Sequence, residues 1–144
     1  DLALSLRDKT PLIYASERLY AIAYRWKCDF NENSEVHAFA AQFPELCHNE
    51  IVGFRKKASE FHVIFLKDAE ETAMMKKRME VTKDLIKSRG FPTTELLITG
   101  SNELTRLFSA YQIGTLASYF LAIEEKVNPR EALLITELKE RLKK

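Results

Sequence analysis

Apolar residues in this chain gather into short runs separated by longer stretches where they recur every three or four positions. Ahead of the first run, Leu2-Ala3-Leu4-Ser5-Leu6 reads as the tail of a helix already under way, stopped by Pro11. Leu12-Ile13-Tyr14-Ala15 is then a short apolar strand. Ser16 caps a helix with Glu17 in its first turn, where a negative charge is favoured. Leu19, Ile22, Ala23 and Trp26 carry that helix to about Lys27. A polar loop follows from Asp29 to Glu35, and Val36 to Phe43 reads as a buried strand ended by Pro44. His48-Asn49-Glu50 opens a short helical turn through Phe54. Phe61 to Leu66, β-branched and aromatic, is the clearest strand.

The second half repeats the scheme. A helix is expected from about Glu70 to Ser88, with Met75, Met79, Thr82 and Ile86 inward and Gly90 at its end. Leu96 to Thr99 is a strand. The next helix follows Gly100-Ser101-Asn102 and turns Leu104, Leu107, Phe108, Tyr111, Thr115 and Leu121 to the core. Gly114 inside it costs about 1 kcal/mol against alanine, which signals close helix packing. Asn128-Pro129 breaks the pattern, and Arg130 to Lys144 forms a last amphipathic helix. Strands separated by helices cannot pair as hairpins. They need crossovers, hence an α/β fold with a mostly parallel sheet covered on both faces. Ligands in such sheets sit beyond the carboxyl ends of the strands, here near Ala15, Phe43, Lys67 and Thr99.

Composition narrows the classes. With 144 residues the chain is long enough for one domain with a proper core. Basic and acidic residues number 22 and 21, so no broad field recruits nucleic acid or an anionic membrane. The runs Arg55-Lys56-Lys57 and Lys76-Lys77-Arg78 read as solvated surface. No run approaches the roughly 18 apolar residues of a membrane span. Cys28 and Cys47 are too few for a disulfide framework and lack metal-ligand spacing, which fits a reducing cytoplasm.

Between Asn31 and Glu50 the short polar groups crowd: four carboxylates, two of the three histidines and three asparagines. Glu32 reads either as a solvated acid at a helix end or as a general base, a role that needs partial desolvation or a like-charged neighbour such as Glu35 or Asp29. His48, among Glu45, Asn49 and Glu50, reads either as a surface cap or as a proton shuttle. His37 and His62 fall in expected strands and read as packing. Cys47 adjoins His48, but neighbours in a chain point apart, so a Cys–His nucleophile is not expected. The Gly100 turn could hold an anion on free N–H groups. Neither a metal nor a nucleotide pattern emerges.

Three segments in order, Ala23-Tyr24-Arg25-Trp26-Lys27, Asn31-Glu32-Asn33-Ser34 and Phe43-Pro44-Glu45-Leu46-Cys47-His48-Asn49-Glu50-Ile51-Val52-Gly53, resemble the bifunctional phosphoglucose/phosphomannose isomerases. That family lies in the SIS (sugar isomerase) superfamily, and the likeness covers its C-terminal SIS domain through Ile135-Thr136-Glu137-Leu138-Lys139. The resemblance implies a flavodoxin-like three-layer αβα sandwich and a single domain over residues 1–144, the C-terminal half of a longer chain with two such domains. It implies interconversion of glucose 6-phosphate and fructose 6-phosphate through a cis-enediol, with mannose 6-phosphate as a further aldose. Glu32 takes the place of the base, His48 that of the ring-opening residue contributed across a homodimer interface, and Lys139 that of the lysine at the ring oxygen. Arg130, after Asn128-Pro129, stands in a loop linked to the sugar pocket where the family carries Thr after Asp-Pro, and is a substrate-binding candidate. Cys47 replaces a common Asn, and Ala15-Ser16 an often-seen Gly-Ser. No cofactor is implied. The phosphate loop and an enediolate-stabilising arginine belong to the other SIS domain. The competing expectation is a non-catalytic module that binds sugar phosphates or dimerises.

Overall fold

A computed structural model describes residues 1–56 and 60–143. In chain order it contains α1 (Leu2–Leu6), β1 (Thr10–Ala15), α2 (Glu17–Asn33), β2 (Phe39–Gln42), a single 3-10 turn (Glu45–Cys47) and α3 (Glu50–Gly53). β3 (Phe61–Asp68), α4 (Ala73–Ser88), β4 (Thr93–Ile98), α5 (Glu103–Glu124) and α6 (Leu133–Arg141) follow. The four strands form one sheet in the order β2-β1-β3-β4, all parallel. Leu12 faces Phe39 on one side and Val63 on the other, and Val63 faces Thr93.

Period-two alternation along β1 and β3 divides the core. Ile13, Ala15, Ile64 and Leu66 pack with Leu19, Trp26 and Phe30 of α2, Leu121 of α5 and Leu6 of α1. Leu12, Tyr14, Val63 and Phe65 face the other way, onto Met79 and Ile86 of α4 and onto Phe43, Leu46, Phe54 and Phe91. Burial on both faces is what a parallel sheet requires. The three-layer α/β expectation holds.

Several boundaries differ, each for a physical reason. Pro11 does not precede the first strand but lies within it, opposite His62. The Thr10 N–H bonds toward β3, so the missing donor of Pro11 faces the side where β2 pairing starts only at Leu12. Proline is tolerated in a strand on those terms. The expected loop from Asp29 is helix through Asn33. Asp29 is buried there, paired with Arg25 at 2.7 Å and accepting from Thr115 Oγ1 at 3.0 Å. Glu32 is therefore on the last turn of a helix, not in a loop.

β2 is half the expected length, and it is an edge strand whose Phe39 is exposed. Residues 34–38 are taken by a turn in which Glu35 is left-handed at φ 55° and Ala38 donates to Asn31 Oδ1 at 2.9 Å. His37 is thereby exposed in the turn rather than packed in a strand. His62 is buried as expected, with Nε2 2.8 Å from Thr94 Oγ1.

The inward face of α5 is only partly the expected one: Leu121 is buried and Leu107 packs against the core. Arg106, Ala110, Gly114, Ala117, Ser118, Leu121 and Ala122 are buried, while Leu104, Phe108 and Tyr111 are exposed. Small residues face α2 because the helices approach closely: a Cβ on Gly114 would lie 2.0 Å from Trp26 Nε1. α6 starts at Leu133 rather than Arg130 and has no buried residue, and Lys144, its expected end, lies outside the described residues. In the run Arg55-Lys56-Lys57, Lys57 lies outside the described residues.

Candidate functional site

At the carboxyl ends of β1 and β3, where a ligand was expected, buried polar groups are taken up by the chain's own partners, and a cleft of about 500 Å³ beside them is lined by Lys67, Asp68, Glu71, Lys76 and Glu80. At the end of β1, Ser16 Oγ donates to Glu71. At the end of β3, buried Asp68 pairs with buried Arg106 at 2.9 Å and accepts from the Glu70 N–H at 2.8 Å. Two buried ions survive desolvation only when each has such a partner. At the start of α5, Asn102 itself takes the Thr105 N–H at 2.9 Å, so one donor expected for an anion is occupied.

A second cleft with free chemistry lies at the amino end of the edge strand β2, where α2 ends. Polar bonds to α5 hold this end of the helix. Trp26 Nε1 donates to the Ala110 carbonyl at 2.8 Å, Asn33 Nδ2 to Ser118 Oγ at 2.9 Å, and Ser34 Oγ to the Ser118 carbonyl at 2.7 Å. Asn31, Asn33 and Ser34 are thus all engaged. Glu32, between them, is exposed and its carboxylate makes no hydrogen bond or ion pair among the described residues. It projects into a cleft of about 490 Å³ lined by Asn31, Glu32, Glu35, Val36, His37 and residues 131–135. A carboxylate on a rigid helix end, beside a second carboxylate and an imidazole, can exchange protons with a bound molecule.

His37 and the first turn of α6 were not expected here. Asn31, Asn33 and Ser34 are turn formers immediately before His37. That density could have delayed the predicted strand and left His37 in the turn.

His48 stands elsewhere. It follows β2 whereas Glu32 precedes it, so the two sit at opposite ends of that edge strand. The loop around His48 is fixed: its own N–H bonds the Glu45 carbonyl at 2.9 Å, and Asn49 Nδ2 donates to Glu45 Oε1 at 3.1 Å. Tyr14 Oη, fully buried, donates to Glu50 Oε2 at 2.8 Å. Burial first, then the Glu50 charge and its hydrogen bond, push the Tyr14 phenol far above its ordinary range, so it remains a donor. The His48 side chain is exposed. Cys47 Sγ lies 3.5 Å from Thr82 Oγ1, half-buried against α4.

Lys139 is exposed on α6, and Arg130 is exposed in the turn before it, its N–H bonded to Asn128 Oδ1 at 3.1 Å. Neither lines the Glu32 cleft, although α6 supplies that cleft with residues 133–135. The structure therefore brings Glu32 together with Glu35 and His37, and leaves His48, Lys139 and Arg130 outside. No group of three metal-ligating side chains occurs among the described residues. No helix among them is long and apolar enough to cross a membrane.

Known proteins resemble this chain in sequence and in fold. A bifunctional phosphoglucose/phosphomannose isomerase of Caldicellulosiruptor bescii is 36% identical over 98% of this chain and 43% of its own length. Its counterpart in Thermoplasma acidophilum is 32% identical over 93% of this chain and 42% of its own length. The chain thus spans less than half the length of these relatives. Among solved structures, a glucose-6-phosphate isomerase-like protein from Thermus thermophilus superposes with a TM-score of 0.74 at 18% identity, over 92% of this chain and 45% of that one. That likeness bears on the fold alone. Residues 1–142 match the family described as the bacterial phospho-glucose isomerase C-terminal SIS domain, and the chain belongs to that family.

Proposed function

We propose that this chain is the C-terminal half of an aldose–ketose isomerase that interconverts glucose 6-phosphate and fructose 6-phosphate, with mannose 6-phosphate as a further aldose. The observation that carries the reading is Glu32: an unpaired carboxylate at the mouth of a cleft, on a helix end whose neighbouring polar groups are all engaged. Relatives over twice this length carry the isomerase name, so turnover belongs to the longer polypeptide, whose other half would supply the phosphate contacts.

In the proposed reaction the hexose phosphate ring opens first. His48 of a neighbouring subunit passes the proton between the C1 hydroxyl and the ring oxygen, and the Lys139 ammonium donates to that oxygen as charge develops. The Glu32 carboxylate then takes the C2 proton of the open aldose as O1 takes up the charge, the O2 hydroxyl proton passes to O1 through the cis-enediol, and Glu32 returns the carbon proton to C1 as the C2 carbonyl forms, giving the ketose. Arg130 would meet the substrate from the loop before α6. No cofactor enters these steps.

The test is a coupled assay of fructose 6-phosphate conversion by the full-length polypeptide. Glu32→Gln should lower kcat by about 10²–10⁴-fold, the range for a positioned general base. Its melting temperature should not move, because Glu32 is exposed and unpaired. An equally active variant would remove Glu32 from the chemistry. That neither Lys139 nor Arg130 lines the cleft favours one second reading, a module that binds sugar phosphates or dimerises without turnover. That reading expects a thermal shift with sugar phosphates and no conversion.

A further inference from the structure

Helix α5 is apolar on both sides. Its small residues face α2, yet Leu104, Phe108, Leu116, Tyr119, Phe120 and Ile123 on the opposite side are 46–63% exposed. No charged side chain occurs from residue 107 to residue 123. A helix apolar all round belongs in an interior, whereas a solvated helix carries a charged outer face. Soluble monomers seldom leave contiguous apolar patches larger than a few hundred Å². α6, the next element, does not cover the face, since none of its residues is buried.

The start of the described chain indicates what does. Ala3 and Leu6 of α1 pack in one cluster with Ala117 and Leu121 of α5. Arg7 pairs with Glu124 at 3.9 Å, and the Asp8 N–H donates to Glu125 Oε1 at 3.0 Å. Residue 1 therefore lies beside α5, and a polypeptide preceding it would arrive there. The relatives extend over more than half their length outside the matched part. Leu4, on α1 next to that entry point, is also exposed.

We infer that the outer face of α5 is the docking surface for the preceding half of the same polypeptide. The inference rests on the two-domain reading above and not on its chemistry. On this basis α5 is the central helix of the whole protein, packed by α2 on one side and by the other half on the other.

Hydroxyl-radical footprinting of the polypeptide as its gene encodes it tests this without substitutions. The oxidation rates of Phe108, Tyr119 and Phe120 are each divided by their rates in the urea-unfolded chain, with exposed Met74 of α4 as reference. The expected result is at least fivefold protection of the three aromatic residues relative to Met74, unchanged on dilution to a sedimentation-verified monomer. Rates comparable to Met74 would overturn the inference. So would protection that vanishes on dilution, which would assign the face to a second copy, or a gene product no longer than this chain. Fructose 6-phosphate turnover is read on the same sample. Protection without turnover keeps the docking surface and removes the isomerase reading, whereas turnover without protection does the reverse.

Discussion

Tyr14 shows how a single side chain can serve both the core and a polar loop. Its ring meets Phe43, Phe54 and Phe65 edge-on at centroid distances of 6.5, 6.4 and 5.9 Å. Its hydroxyl holds Glu50, two residues beyond His48. Tyr14→Phe keeps the ring and loses the bond, so it should cost about 1 kcal/mol in denaturant unfolding. If the proposed isomerase reading holds and the loop positions His48, the same variant should lower kcat of the full-length protein more than it raises KM. His62 offers a second residue-level test. Burial lowers its pKa below the ordinary value, assisted by the Lys9 charge and opposed by the Ser5 backbone. The unfolded chain therefore binds a proton near pH 6.5 that the folded chain resists, so stability is full above that pH and declines as pH falls toward the depressed folded value. The melting temperature should drop between pH 7.5 and 5.5, with a shallower drop in His62→Gln. An unaltered slope would assign the dependence to other groups. His62 was legible from its β-branched and aromatic neighbours. His37 was not, because apolar residues on both sides of it imitate a strand and only the left-handed Glu35 reveals the turn.

At the scale of elements, the seam between α2 and α5 decides where Glu32 points. Gly114 lets the Trp26 indole lie against the α5 backbone and reach the Ala110 carbonyl. Trp26 is fully buried and its rigid ring has nowhere to swing. Gly114→Ala should therefore destabilise by about 1–3 kcal/mol through overpacking, despite alanine's better helix propensity. Thermal unfolding of the variant measures this, and a stabilised variant would contradict the packing. The glycine alone foretold a close approach, but not which face of α5 makes it. Large apolar residues normally turn inward, and here they yield to small ones because the contact demands short interaxial distance. The same physics lengthened α2. A helix pattern that appears to end at Lys27 continues because Asp29, polar in sequence, finds Arg25 and Thr115 within reach. Tertiary partners of that kind have no signature in local spacing.

For the whole molecule, the order of strands and helices was readable because alternating apolar runs and helical periods leave few topologies. The division of roles proposed for Glu32 and His48 came only through resemblance, since the two are sixteen positions apart and look like one loop. They are separated by a four-residue strand, about 13 Å at 3.3 Å per residue. In the proposed homodimer one subunit would offer Glu32 at one end of β2 and His48 at the other, and two subunits would exchange them across a twofold axis. This arrangement makes a quantitative prediction for the full-length protein. Glu32→Gln and His48→Ala should each be inactive alone. Unfolded together and refolded as an equal mixture, they should form half heterodimers, each with one site holding both native residues and one holding neither. About 25% of wild-type turnover should return under random pairing. Recovery depends on each site drawing Glu32 from one chain and His48 from the other. If both residues served the site of their own subunit, every site in the mixture would lack one of them, and turnover would stay at the level of the separate variants.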